Sequence, residues 1–350
     1  MRTLHVRRLG LVEYEDGLAL QTLTAEARNK DLIPDTLLLL EHPRVITLGR
    51  GAKEANLLGT RDELRGRGYE IFETDRGGDV TYHGPGQIVG YPILDLKPDR
   101  KDVRRYVTSI EELMIRVAAD YGVSAVRVAG RTGIWTPEGK LGAIGVHLSR
   151  WITTHGFAFN VRTDLRDFSA IVPCGIADAG VTSLEMLLGS APPIAEVEER
   201  FIAHAAALWE CDASVVEPML RTVSATLLDE DGRVLLMQRT PARGGFWQIL
   251  TGRIEPGESE LMTVAREIHE ETGFSPQLAE IRPLDYVHSF ALMDRIPPFV
   301  LRETAFAARV SGDVRLSDEH VAHRWVTAEE ALRLLPFAGL RRAVTLATAG

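Results

Sequence analysis

Apolar residues recur along this chain at two periods, and the change between them marks out elements. Val103, Val107, Ile110, Met114 and Val117 fall three and four apart, which predicts a helix over 102–121 with Gly122 as its stop. Short runs rich in branched apolar residues predict strands at 36–40, 88–94, 141–148 and 156–161. Helices and strands mix without strict alternation. That pattern points to an α+β or mixed α/β fold rather than a doubly wound parallel sheet.

The pattern breaks between Gly189 and Pro218. Gly189-Ser190-Ala191-Pro192-Pro193 interrupts the chain, and Val197, Phe201, Ala205 and Leu208 then repeat at helical spacing up to Glu210. Beyond Pro218, 220–228 and 234–238 read as strands joined across Asp229-Glu230-Asp231-Gly232 as a hairpin. The expected division is therefore two domains, 1–215 and 216–350, which suits a chain of 350 residues.

Composition narrows the setting. No apolar run is long enough to cross a bilayer, and the basic N-terminus lacks the apolar block of a signal peptide. The only cysteines are Cys174 and Cys211, which argues against a disulfide framework and for a reducing cytoplasm. A net charge of −9 disfavours nucleic acid as a partner. Lysine occurs only at 30, 53, 97, 101 and 140 among plentiful arginines. Where a lysine is kept, an amine able to lose its proton can be the reason.

The densest chemical signal runs from Gly252 to Phe274. Glu258 follows Gly252 after five residues, and Arg266-Glu267-Ile268-His269-Glu270-Glu271-Thr272-Gly273-Phe274 comes after seven more. Pro256-Gly257 makes a turn, Ser259 can cap a helix and Gly273 can end it. Glu267 and Glu271 then stand one turn apart with Glu270 beside them. Clustered carboxylates repel one another unless a cation is held between them, and hard oxygen ligands suit Mg²⁺ or Mn²⁺. The segment resembles the complete Nudix box, with each fixed position filled. The resemblance implies an α/β/α sandwich and attack of water on a small diphosphate substrate. Its metal ligands would be Glu267, Glu270, Glu271 and the Gly252 carbonyl, and Glu319 would serve as a further ligand or general base. Phe246 to Gly252, with Glu319-His320 and Trp325, is similar to the dihydroneopterin triphosphate pyrophosphohydrolase branch, which would have Trp247 stack on a ring or pack in the core.

The first domain concentrates polar groups in three places: 75–87, 139–147 and 171–176, the last with 155–161 shortly before it. Cys174 sits between Pro173 and Gly175, a turn able to present a thiol. A thiol with an ordinary pKa needs a nearby cation or proton acceptor to act at neutral pH, and Lys140, His83 or His155 can serve. Arg76-Gly77-Gly78 running into Thr81-Tyr82-His83-Gly84-Pro85-Gly86-Gln87, then Gly139-Lys140, His155-Gly156 and Pro173-Cys174-Gly175, resemble the octanoyl-[acyl-carrier-protein]:protein octanoyltransferases of lipoate biosynthesis over roughly residues 5 to 210.

That resemblance implies a biotin/lipoyl-ligase-like fold and a ping-pong transfer without a cofactor. Cys174 would carry octanoyl from octanoyl-acyl carrier protein, and Lys140 would activate the thiol. The acceptor would be a lysine of the lipoyl domains of 2-oxoacid dehydrogenase or glycine cleavage proteins. Arg76, Gly77, Gly78, Asp79, Val80, Thr81, Tyr82, His83, Ala143, Ile144, Gly145, Gly156, Phe157 and Ala158 would line the acyl site. Competing readings are an ATP-using ligase with Gly49-Arg50-Gly51 as nucleotide loop, a cysteine hydrolase using Cys174, His155 and Asn160, and a non-catalytic adaptor. Lys97, Arg100, Lys101, Arg104 and Arg105 form the densest basic stretch of the first domain and would suit an acidic carrier protein.

Overall fold

The computed structural model describes residues 2–97, 99–172, 180–217, 220–292 and 295–349. The chain divides into two compact units, Met1–Glu217 with Met293–Phe299, and Pro218–Leu292 with Val300–Gly350.

In the first unit the largest sheet runs in the order Cys211–Val215, Arg2–Leu11, Asp35–Glu41, Gln87–Ile93, Ile152–Asn160, Gly139–Ser149, Arg131–Thr136 and Val126–Val128. The first three strands are mutually parallel and the rest antiparallel. Mixed pairing of this kind is what an α+β order of elements allows. Leu37, Leu38, Leu39 and Leu40 are all fully buried, so this strand is covered on both faces. One face packs on helices Val103–Asp120 and Ile194–Leu208 through Leu37, Leu39, Ile88, Phe157 and Phe201. Elsewhere in the unit stand helix Tyr14–Asn29 and a small sheet of Glu70–Glu73, Val45–Leu48 and Val80–His83.

The helix expected at 102–121 forms over Val103–Asp120, capped by the Asp102 side chain accepting from the Arg105 N–H. Its buried stripe is Tyr106, Ile110, Leu113, Met114 and Val117. Val103 is exposed although it shares the angle of the stripe, because it stands in the first turn, where residues 101–105 are all exposed.

In the second unit Leu220–Leu228 pairs in parallel with Phe299–Arg309 and antiparallel with Leu250–Arg253. The expected hairpin joins Leu220–Leu228 to Val234–Arg239 only at Leu228 and Val234. Beyond that pair the second strand turns to His320–Val326 and Trp247–Gln248. Helix Glu260–Thr272 packs Val264 and Ile268 on this sheet against Val223, Ala225 and Leu235. Its Ser259 cap accepts from the Met262 N–H and Gly273 ends it in the left-handed conformation, as the spacing predicts.

Candidate active sites

The first unit holds a cavity between its large sheet, Tyr14 and the loop that leads into strand Val80–His83. Arg76, Gly78, Asp79, Val80, Thr81 and His83 line one side, and Ala143, Ile144, Gly145, Gly156, Phe157 and Ala158 the other. Gly77 and Tyr82 were expected on this wall and are not among its lining residues. Tyr82 packs instead with Tyr69 and Phe168, its hydroxyl donating to Asp167 at 2.7 Å. The Gly77 N–H donates to the Val146 carbonyl at 2.9 Å, which lays the loop flat on the sheet. That approach needs glycine at 145, where a Cβ would come 2.8 Å from the Gly77 carbonyl. Tyr14, Val89, Tyr91 and His155 also line the cavity. Val89 and Tyr91 sit in an apolar run where they are indistinguishable from core, and Tyr14 stands between two glutamates at a helix start, which gives no sign of a cavity.

Arg76 does not reach out as a free cation. Its guanidinium donates to the Thr47 carbonyl at 2.7 Å and hydroxyl at 2.8 Å, pinning the loop to strand Val45–Leu48. Asp79 accepts from the Val80 N–H and from the Asn56 amide, a turn-building role. His83 Nδ1 faces Gln87 Oε1 at 2.7 Å, and the Gln87 amide donates to Asn160 Oδ1 at 2.9 Å. Burial, with His42 nearby, lowers the His83 pKa to about 3, so its ring is neutral. Asn160 is thus committed to Gln87 and to the Thr182 carbonyl. It does not orient His155, which the cysteine-hydrolase reading requires. His155 bonds Asp75 at 2.8 Å.

Lys140 is buried, with its ammonium 5.1 Å from the centre of the Trp135 ring. Its backbone N–H donates to the Gly180 carbonyl at 2.9 Å, and its carbonyl accepts from the Thr182 N–H at 3.0 Å. Val172 donates to the Asn56 carbonyl at 2.8 Å. Cys174 falls between these anchors and lies outside the described residues. The other cysteine, Cys211, stands on the strand Cys211–Val215, and burial raises its thiol pKa, which leaves little thiolate.

In the second unit the acidic box is organised by Arg266. Its guanidinium spans Glu258 at 2.8 Å, Glu267 at 2.9 Å and Glu270 at 3.0 Å. Gly252 lets Glu267 come close, since a Cβ there would sit 2.2 Å from the Glu267 carboxyl carbon. Glu271 is buried, and its Oε2 has no hydrogen-bond partner. Burial raises its pKa to about 7, and burial also raises that of Glu267. Among the described residues no three acidic, histidine or cysteine side chains are already arranged to hold a metal ion, and Arg266 pairs with Glu267 and Glu270. A buried carboxylate oxygen without a partner, beside a second desolvated carboxylate, is nonetheless the donor chemistry that a hard divalent cation satisfies.

Glu319 accepts from Arg239 at 2.6 Å and from Arg243. His320, fully buried in its side chain, stands 3.7 Å from Glu271 Oε2 and 3.3 Å from the Gln248 amide. Burial and then Arg239 lower its pKa to about 4. Trp247 is half-buried with the Arg324 guanidinium 5.0 Å over its ring.

The two units together define a class by fold and site: an α+β domain with a buried lysine near its cavity, followed by a helix-on-sheet domain carrying an acidic box. Residues 13–206 match the lipoyl protein ligase A/B catalytic domain family and residues 218–347 the NUDIX domain family. An octanoyltransferase of Myxococcus xanthus is 51% identical over 360 residues, covering 100% of each chain. One from Chloroflexus aggregans is 51% identical over 213 residues, 60% of this chain and 96% of that one. A crystal structure of lipoate-protein ligase A bound with ATP shares the fold over 62% of this chain and 89% of that chain, with a TM-score of 0.50 at 18% identity. The chain belongs to the octanoyltransferase family and carries a Nudix hydrolase domain, so it joins an acyltransferase to a hydrolase. Among the described residues no helix is long and apolar enough to cross a membrane.

Proposed function

We propose that the first unit moves an octanoyl group from acyl carrier protein to a lysine of a lipoyl domain through a thioester on Cys174. The observation that carries this reading is the placement of Lys140. It is buried, three residues along one strand from Ala143 on the cavity wall, and bonded through its backbone to Gly180, six residues past Cys174. A thiolate beside an ammonium is stabilised as an ion pair. The Cys174 sulfur attacks the carrier's thioester carbonyl, a new C–S bond forms, and the carrier's thiol leaves with a proton from Lys140. The acceptor lysine then attacks the enzyme thioester, its proton passes to the Lys140 amine, and the Cys174 sulfur leaves. Arginine could hold the charge but not exchange the proton.

The second unit is proposed to hydrolyse a small compound linked through a diphosphate, of the nucleoside or pterin type. Glu267, Glu270, Glu271 and the Gly252 carbonyl would hold Mg²⁺ or Mn²⁺. The cation supplies charge neutralisation at the diphosphate when bound. Glu319 is now paired with Arg239 and Arg243; it would accept the proton of the attacking water as the P–O bridge breaks, once the two guanidiniums turn to the phosphate oxygens.

Intact-protein mass spectrometry tests the first reading. Octanoyl-acyl carrier protein alone, without ATP, should add one octanoyl mass that hydroxylamine removes. Cys174→Ser should gain none, Cys211→Ser should match the parent, and Lys140→Arg should lose most transfer. Octanoyl on Cys211, or a need for ATP before any mass appears, would overturn the acyltransferase chemistry in favour of ligation.

A further inference from the structure

His155 belongs to two spaces at once. It lines the acyl cavity, and it lines a separate groove of about 390 Å³ bounded by helix Tyr14–Asn29 and the far end of strand Gly139–Ser149. The strand gives the cavity a direction. Lys140 lies at its start, Ala143 is paired with Ala158, and Val146 is paired with His155. From Ala143 to Val146 is three residues, about 10 Å of strand. The His155 end is therefore the end remote from the lysine.

That end is shut by polar contacts. His155 Nε2 bonds Asp75 Oδ1 at 2.8 Å, and His147 Nε2 approaches Asp75 Oδ2 at 3.4 Å. The Asp75 loop is itself tied down by the Gly77 bond to Val146. His155 also has φ of +55°, a left-handed conformation that a histidine adopts at a cost. Its backbone N–H is held there by the buried Gln21 side chain at 2.7 Å. The left-handed backbone leaves the register with strand Gly139–Ser149 unbroken, and it sets His155 where it borders both the cavity and the groove.

Building on the reading that the acyl chain runs from a thioester near Lys140 into this cavity, we propose that the Asp75–His155 pair is the stop that sets acyl-chain length. A chain that ends before the pair fills the apolar wall. A longer one must part the Asp75–His155 bond and leave a buried imidazole unpaired, which disfavours it. Beyond the stop lies the groove, with room for the extra carbons.

The test uses the full-length protein and a mixture of octanoyl- and dodecanoyl-acyl carrier protein, read as the ratio of the two masses on the enzyme. His155→Gly, which suits the +55° φ, should raise the dodecanoyl-to-octanoyl ratio by about tenfold or more. Adding Ala25→Phe, which fills the groove, should bring the ratio back down. Asp75→Ala removes the other half of the stop and gives the same reading if the glycine variant fails to fold. An unchanged ratio in a variant that still takes octanoyl would overturn the stop while leaving the thioester reading intact. No acyl mass on the parent enzyme would instead remove the thioester reading itself.

Discussion

Asp167 shows how one carboxylate can fix the wall of a site it does not line. It accepts from Arg44 Nε at 2.9 Å, from the Tyr69 hydroxyl at 2.8 Å and from the Tyr82 hydroxyl at 2.7 Å. Those donors lie 85 to 123 residues away in the chain and belong to the small sheet and its approaches. Burial disfavours the charge, but hydrogen bonds from Arg44, Tyr82 and Tyr69 outweigh it and hold the pKa below the usual 3.8. Asp167→Asn should therefore cost about 2–4 kcal/mol at neutral pH. Because the folded carboxyl has the lower pKa, its stabilisation is present above 3.8 and lost as pH falls through the folded value. Urea denaturation should show the gap between parent and variant narrowing towards pH 3. A gap that stays constant in acid contradicts the ionised role.

At the scale of elements, the start of helix Val103–Asp120 separates structural from available charge. Arg100 donates to Asp35 at 2.9 Å and to the Asp95 carbonyl, so it serves the fold rather than a partner. Arg104 and Arg105 are exposed on the first turn. An acidic carrier protein would meet these two. Reversing both to glutamate should slow acylation by octanoyl-acyl carrier protein at low salt, with the difference shrinking as salt is added. Equal second-order rate constants at low ionic strength would exclude this surface. The helix itself was legible from spacing, as was the acidic turn of Glu260–Thr272, because each depends on neighbours three and four apart. The strand Cys211–Val215 was not. Its reason to be extended is pairing with Arg2–Leu11, some two hundred residues earlier, which no local pattern records. The same holds for the pair of Asp75 and His155, 80 residues apart in sequence and meeting only across the folded sheet. The splitting of the strand pair at Leu228 and Val234 was equally hidden, since a turn signal says where a chain reverses and not how long the strands stay together.

For the whole molecule, an octanoyltransferase-family domain and a Nudix domain share one chain. Octanoyl transfer consumes no diphosphate, and among the described residues that line the first unit's cavity none belongs to the acidic box. Each activity should therefore be removable alone. The direct measurement is a crossed assay on full-length protein, with octanoyl transfer to a lipoyl domain and Mg²⁺-dependent hydrolysis of a panel of nucleotide and pterin diphosphate compounds. Cys174→Ser should abolish transfer and leave hydrolysis at the parent rate. Glu271→Gln should reduce hydrolysis by a factor on the order of a hundred or more while transfer continues. Loss of both activities in either folded variant, or full hydrolysis by Glu271→Gln, would contradict the account.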